Sequence, residues 1–225
     1  MKEITVVIPC HNEAGSIGNV IGGVRESLPD AEILVIDDGS TDDTAAIAEA
    51  VDGVRVFALR PNRGKGVALR ESIGQVATPY LIFMDGDGQD DPADLPKMVS
   101  ALHEGGDLIN GSKFIGVIEH GGISRPNYFG NLFMSMTINL LFGANISDSQ
   151  SGFRAIRVDA VRRWNLRSTE YEIESEMLCK AIKSGLLVRE IPVTRRARTS
   201  GATGFHRVRN GLRVLMTILR ERFVR

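Results

Sequence analysis

Cysteine is nearly missing from this sequence: Cys10 and Cys179 are the two in 225 residues. Thiols so far apart give neither a metal-ligand spacing nor a disulfide framework, which fits a reducing, cytoplasmic setting. Four scattered histidines make a zinc centre an equally poor fit. No apolar run reaches the roughly 18–20 residues that a membrane-spanning helix needs. The first nine residues pass straight into a strand pattern without the apolar core of a signal peptide. Any meeting with a membrane is therefore expected from the side, on its cytoplasmic face. Charge of one sign is not in excess, since 27 basic against 28 acidic residues leave a formal charge of -1. Nothing in that balance calls for nucleic acid.

Two common nucleotide-binding signatures are also absent. No G-x-G-x-x-G follows the first strand pattern, and Gly64-Lys65-Gly66 lies after the third without a third glycine, which disfavours a dinucleotide site. No G-x-x-x-x-G-K-[ST] occurs, which excludes a P-loop. Internal repeats and low-complexity tracts are lacking. With 43% hydrophobic and 24% charged residues, the composition is that of one folded domain over residues 1–225 with a single substantial core.

What is present is a regular alternation. Apolar strand patterns at residues 4–9, 32–36, 54–59 and 80–84 are separated by helical periodicities. Examples are Ile17, Val20, Ile21, Val24 and Leu28 in the first helix, and Leu69, Ile73 and Val76 in the third. This order predicts an α/β fold with a right-handed, mostly parallel sheet flanked by helices. Later, Leu95, Met98, Val99 and Leu102 mark a helix, residues 107–113 a strand, and the glycine-rich residues 114–127 a mobile loop. Residues 128–142 form a helix apolar nearly all round, read mainly as core-facing. Residues 170–184 form another, with Glu172, Glu174 and Glu176 expected in solvent. About residues 207–224 make a basic amphipathic helix, suited to an anionic membrane surface.

The stretch at 80–92 stands out. An apolar strand stops at Asp85, Asp87 and Gln89, three oxygen donors separated by glycines, a set that suits a hard divalent cation. Unlike an EF-hand, it has no glycine at the sixth position and carries Pro96 where the bidentate Glu belongs. Asp90 and Asp91 read as a solvated turn, with Asp91 capping a helix that begins at Pro92.

Taken together, the motifs resemble family 2 glycosyltransferases with a GT-A fold, of the dolichyl/polyprenyl-phosphate mannose synthase type. They are Pro9-Cys10-His11-Asn12-Glu13, Asp37-Asp38-Gly39-Ser40, Arg63-Gly64-Lys65-Gly66, Asp85-Gly86-Asp87-Gly88-Gln89, Gly111-Ser112-Lys113, Ser151-Gly152-Phe153-Arg154 and Glu190-Ile191-Pro192, in family order. The resemblance implies a Rossmann-like sheet and a nucleotide-sugar pocket lined by Pro9, His11, Glu13, Ile36 and Asp38, joined by Lys65, Gly86 and Lys113. It implies that Asp85, Asp87 and Gln89 hold Mg²⁺ or Mn²⁺ against the donor diphosphate. Asp87, Arg125 and Arg198 would be catalytic, and Arg125, Arg154, Arg198 and Thr203 would hold the phosphate of a polyprenyl or dolichyl acceptor. Where the family often has an aromatic residue this chain has His11, where it has arginine this chain has Lys113, and Gly204 stands in place of an acceptor-loop lysine. GDP-mannose is the first donor implied and UDP-glucose the second. A lipid phosphate, with a second pKa near ~6, attacks as an anion and needs no base. A sugar hydroxyl would need one, and Asp148 is then the candidate. A noncatalytic nucleotide- or sugar-binding protein on the same sheet is the rival from another class.

Overall fold

The computed structural model describes residues 2–198 and 207–223. Its strands are β1 (Ile4–Cys10), β2 (Glu32–Asp38), β3 (Val54–Leu59), β4 (Tyr80–Phe83), β5 (Leu108–Ile118), β6 (Arg154–Arg157) and β7 (Val188–Arg195). The helices are α1 (Ile17–Ser27), α2 (Thr44–Glu49), α3 (Lys65–Gln75), α4 (Leu95–His103), α5 (Arg125–Phe142), α6 (Val158–Val161), α7 (Ile173–Lys183) and α8 (Arg207–Phe223). The strands form one sheet in the order β3-β2-β1-β4-β6-β5-β7. All run parallel except β6, which is antiparallel to both β4 and β5.

Apolar runs in β1 and β2 have a simple cause: both faces of the sheet are covered. On one face Ile17, Ile21 and Val24 of α1 and Leu95 and Met98 of α4 pack on Val6, Ile8 and Val35. On the other, Leu69 of α3, Ile138 of α5, Met177 of α7 and Ile218 of α8 pack on Val7, Leu34 and Phe83. The chain fills the sheet outward from β1 to β3, then returns to start the other half at β4, so strand order reverses between β1 and β4. Crevices beyond the carboxyl ends of such a pair are where open α/β sheets bind ligands. A Cβ on Gly86 would lie 3.1 Å from the Cys10 Cβ, so the turn after β4 is pressed against the end of β1.

Three expectations fail in the second half. β5 continues to Ile118, so residues 114–118 are strand and not loop, with Val117 and Ile118 paired to Thr194 and Arg195. Gly116 permits it, because a Cβ there would sit 2.1 Å from the Val193 carbonyl. Helix α5 is not mainly core: Asn131, Ser135 and Ile138 are its buried residues, while Phe129, Phe133, Met136 and Leu140 are 56–85% exposed. Glu172, Glu174 and Glu176 are buried, not solvated. Glu176 accepts the backbone N–H groups of Arg167 and Ser168, and Glu172 those of Thr169 and Glu170. Helix α8 packs Asn210, Val214, Thr217, Ile218 and Glu221 inward against α5 and α7 and leaves Val208, Leu212 and Met216 exposed. Among the described residues, no helix is long and apolar enough to cross a membrane.

Candidate active site

Two acidic turns meet at the switch point, and they are neutralised differently. After β2, the Asp38 carboxylate accepts the backbone N–H of Arg63 and of Gly64, each at 2.8 Å. Asp37 accepts the Ser40 N–H at 3.0 Å and Arg60 at 2.7 Å. Gly64 has φ 94° and backbone so close that a Cβ would lie 2.4 Å from the Thr169 carbonyl, a place only glycine fits. Asn12, at φ 57°, ties the end of β1 to the same region: its side chain accepts the Thr41 N–H at 2.8 Å and its own N–H donates to Ser40 Oγ at 2.9 Å. His11 is exposed at this lip. Pro9 and Ile36, adjacent in register, are both buried, so they form the floor beneath the lip, not a wall of it.

After β4 side-chain cations join backbone donors: Asp87 Oδ1 accepts the Gln89 N–H at 3.0 Å and Asp90 Oδ2 the Asp85 N–H at 3.3 Å. Asp85 Oδ1 pairs with Lys65 Nζ at 2.7 Å, and Lys65 also meets Glu174 Oε1 at 2.8 Å. Asp87 Oδ2 meets Arg198 at 3.2 Å, and the same guanidinium is bonded to Glu13. Asp90, expected in solvent, is buried and holds Arg195 at 2.7 Å, because the antiparallel bridge to Arg195 draws it under β7. Asp91 does cap the turn, accepting the Ala93 N–H. Burial opposes the charge on Asp85, but Lys65 and then Arg195 outweigh it and hold its carboxyl below the usual carboxylate range. For Asp90 burial prevails over Arg195, with Asp85 and Asp87 adding to it, and its carboxyl is pushed up. Burial likewise raises Glu13 against the pull of Arg198.

The same turn bears on the ligand set expected for a cation. Gln89 is otherwise engaged: its Oε1 accepts from Arg195 at 2.8 Å and its Nε2 donates to the carbonyls of Arg196 and Gly122. Among the described residues, no three His, Cys, Asp or Glu side chains come together as a cage. Asp85 and Asp87 nevertheless fit a cation that draws its remaining ligands from a diphosphate, since Mg²⁺ is commonly held by one or two carboxylates plus substrate phosphates. Both Asp85 oxygens face Gly152, where a Cβ would lie 2.9 Å from Oδ2, 3.1 Å from Oδ1 and 3.1 Å from Lys65 Nζ, so glycine leaves room for the ion pair.

Beside Asp85 a small cleft of about 50 Å³ is lined by Asp90, Lys113, Asp148, Gln150, Gly152 and Arg195. Lys113 reaches Asp148 at 2.6 Å and lies 5.0 Å from the Phe114 ring, which stands edge-on to Tyr128, itself edge-on to Phe129. Asp148 is fully buried and also accepts from Asn131 at 2.7 Å and from the Gln150 N–H, so both of its oxygens are already engaged. Arg154, which the resemblance puts at the acceptor phosphate and for which a structural pairing is as good a reading, takes the structural role. It is 1% exposed, and its guanidinium donates to the side chain of Asn110 and the carbonyls of Glu174 and Ser149. It holds β6 to α7 from inside. Arg125 opens α5 at the surface, three residues beyond the Gly122 that receives Gln89, and makes no ion pair among the described residues. Thr203 lies outside the described residues.

Sequence reasoning missed Glu174, Asp90 with Arg195, and the tight fit of Gly152. No spacing signal marks them: all three glutamates at the start of α7 are buried, although Glu174 and Glu176 point to different sides of the helix.

The model of the family described as Glycosyl transferase family 2 matches residues 5–164, a span that runs from β1 past α6 and contains both acidic turns. The chain belongs to glycosyl transferase family 2. It is 32% identical to Glycosyltransferase AglJ of Haloferax volcanii over 97% of this chain and 71% of that protein. It is 30% identical to the polyprenol monophosphomannose synthase of Mycolicibacterium smegmatis over 88% of this chain and 79% of that one. In fold it is similar to glucosyl-3-phosphoglycerate synthase of Mycobacterium tuberculosis, solved with Mn²⁺ and UDP-glucose. That match has a TM-score of 0.77 at 24% identity and covers 98% of this chain and 79% of that one. The seven-stranded, mostly parallel sheet flanked by helices is a GT-A fold.

Proposed function

We propose that this glycosyltransferase is cation-dependent and inverting, and that it moves a hexose, mannose from GDP-mannose first among donors, onto a polyprenyl or dolichyl phosphate. The observation that carries the reading is the turn after β4, where Asp85, Asp87 and Asp90 sit among Lys65, Arg195 and Arg198 beside the Lys113 cleft. A site of that kind binds two anionic groups at once. Asp85 and Asp87 would hold Mg²⁺ or Mn²⁺, which when bound neutralises charge on the departing diphosphate. Glu13, His11 and the loop fixed by Asp38 would take the nucleoside, and Lys65, at the first turn of α3, lies where a helix N-terminus favours phosphate. Lys113, Arg125 and Arg198 would hold the acceptor phosphate, with Thr203 as a further contact. The polyprenol monophosphomannose synthase relative supports the lipid acceptor and the mannose. Asp148, already engaged by Lys113 and Asn131, speaks against a hydroxyl acceptor deprotonated there.

A lipid acceptor also suits the surface beside the cleft. From Pro126 to Ser147 the chain has no charged residue, and α5 shows water Phe129, Phe133, Met136 and Leu140. The neighbouring α8 adds exposed Val208, Leu212 and Met216 together with Arg207, Arg209 and Arg222. Apolar side chains beside arginines suit the cytoplasmic face of an anionic bilayer, where each basic residue contributes about 1 kcal/mol. The test is transfer from a panel of nucleotide-sugars to a short polyprenyl phosphate with Mn²⁺. Product is expected with one donor class and is expected to vanish in excess chelator. Full-rate transfer without a free divalent ion, or transfer to a glycan hydroxyl alone, would overturn the reading.

A further inference from the structure

Lys65 is placed awkwardly for a site that needs a cation. Its ammonium sits 2.7 Å from Asp85 Oδ1, so it competes for the same carboxylate that a divalent ion would use. Coulomb attraction to an unshared lysine at that distance would hold Asp85 firmly and oppose the arrival of a second positive charge. Yet the lysine is not Asp85's alone. Glu174 Oε1, at the first turn of α7, lies 2.8 Å from the same nitrogen. Glu174 is 3% exposed, and its second oxygen, Oε2, is buried without a hydrogen-bond partner. A buried carboxylate with an unpartnered oxygen is costly to maintain, and such a group calls for a role. The Tyr171 ring lies 5.7 Å from the ammonium, the absent Cβ of Gly152 makes room for the Asp85 carboxylate, and Lys65 engages its Oδ1. Other charged groups near this cluster are Arg195, Arg198, Asp87 and Asp90 on the Asp85 side, Glu170 beside Tyr171, and Arg154, whose guanidinium donates to the Glu174 carbonyl.

We propose that Glu174 is a positioning residue for the cation site: it shares Lys65 with Asp85, so that Lys65 orients Asp85 through Oδ1 while leaving Oδ2 to a divalent ion. This rests on the reading of Asp85 as a cation ligand. Glu174 touches no substrate in this role; it sets how strongly Lys65 competes. Removing its charge leaves Lys65 paired with Asp85 alone, which strengthens the lysine as competitor. Removing Lys65 as well takes the competitor away.

The experiment is Mn²⁺ binding, followed by electron paramagnetic resonance of free Mn²⁺ with UDP and with GDP present, and it needs neither sugar nor lipid. Glu174→Gln keeps the size of the side chain and is expected to weaken Mn²⁺ binding by about tenfold. The double variant Lys65→Gln/Glu174→Gln is expected to bind Mn²⁺ more tightly than Glu174→Gln, because the competitor is gone, though without the diphosphate contact of Lys65. A thermal melt accompanies each variant, since a purely structural Glu174 would lower the melting temperature and leave Mn²⁺ affinity unchanged. Unchanged affinity in Glu174→Gln overturns the inference, as does a double variant that binds no better than the single one. Loss of turnover with wild-type Mn²⁺ affinity also overturns it, because Glu174 would then act on substrate. If wild type binds no Mn²⁺ with either nucleotide, the cation reading of Asp85 and Asp87 falls, and this inference with it.

Discussion

The two acidic turns at the switch point carry similar sequences, Asp37-Asp38-Gly39 and Asp85-Gly86-Asp87, yet they do opposite work. Asp38 is saturated by backbone amides, which cannot leave without unfolding the loop at residues 62–64. Asp85, Asp87 and Asp90 are balanced by the ends of Lys65, Arg198 and Arg195, which can swing away on flexible stems. The first turn is scaffold. In the second, three side-chain cations are shared among five carboxylates: Lys65 by Asp85 and Glu174, Arg198 by Asp87 and Glu13, and Arg195 with Asp90. Similar motifs thus acquire different roles from what lies across from them.

That contrast can be broken by exchanging the outcomes. Asp87→Ala should lower glycosyl transfer by roughly 10³-fold, the range seen when one charge-stabilising group is removed from an active site. Its melting temperature should stay near that of wild type. Asp38→Ala should do the reverse to the fold, leaving two amides without an acceptor at a cost of about 2–4 kcal/mol, read by chemical denaturation. An inactive but unstable Asp87→Ala protein, or a fully stable Asp38→Ala protein, would erase the distinction. What the second turn opens onto is tested by the double change Phe133→Asp/Leu140→Asp on α5. Losing two exposed apolar groups and gaining two charges should weaken co-sedimentation with anionic vesicles by at least about tenfold. Unaltered vesicle binding would detach α5 from the membrane reading. The smallest effect is expected from Arg63→Ala. It deletes an exposed pair with Glu71 but keeps the N–H that Asp38 accepts, so the change should be under about 0.5 kcal/mol. A larger loss would mean that the side chain, not the amide, holds the loop.

How far these features could be read from sequence follows from how local their causes are. Strands β1, β2 and β4 announce themselves because burial on both faces forces continuous apolar runs, and the end of such a run locates Asp85 and Asp87. Helix α5 was misjudged because apolarity all round a helix looks the same whether it faces a core or a greasy exterior; only its packing on one side separates them. The resemblance puts Arg154 at the acceptor phosphate, while a structural pairing fits its sequence position equally well. In the short β6, however, Arg154 shares the side of Ile156, which lies in the α7 cluster, whereas Phe153 and Ala155 lie in the α1 cluster. Glu174 was hidden because its partner Lys65 comes from another half of the sheet, and no spacing rule joins them.

Arg198 bridges Glu13 and Asp87, and so occupies the ground that an arriving donor and its ion would need. The consequence is kinetic. Until that bridge yields, the guanidinium is not available to a second substrate; once it yields, it is released toward one. A compulsory loading sequence is the expected signature, with product-inhibition patterns in which the nucleoside diphosphate competes with the donor alone.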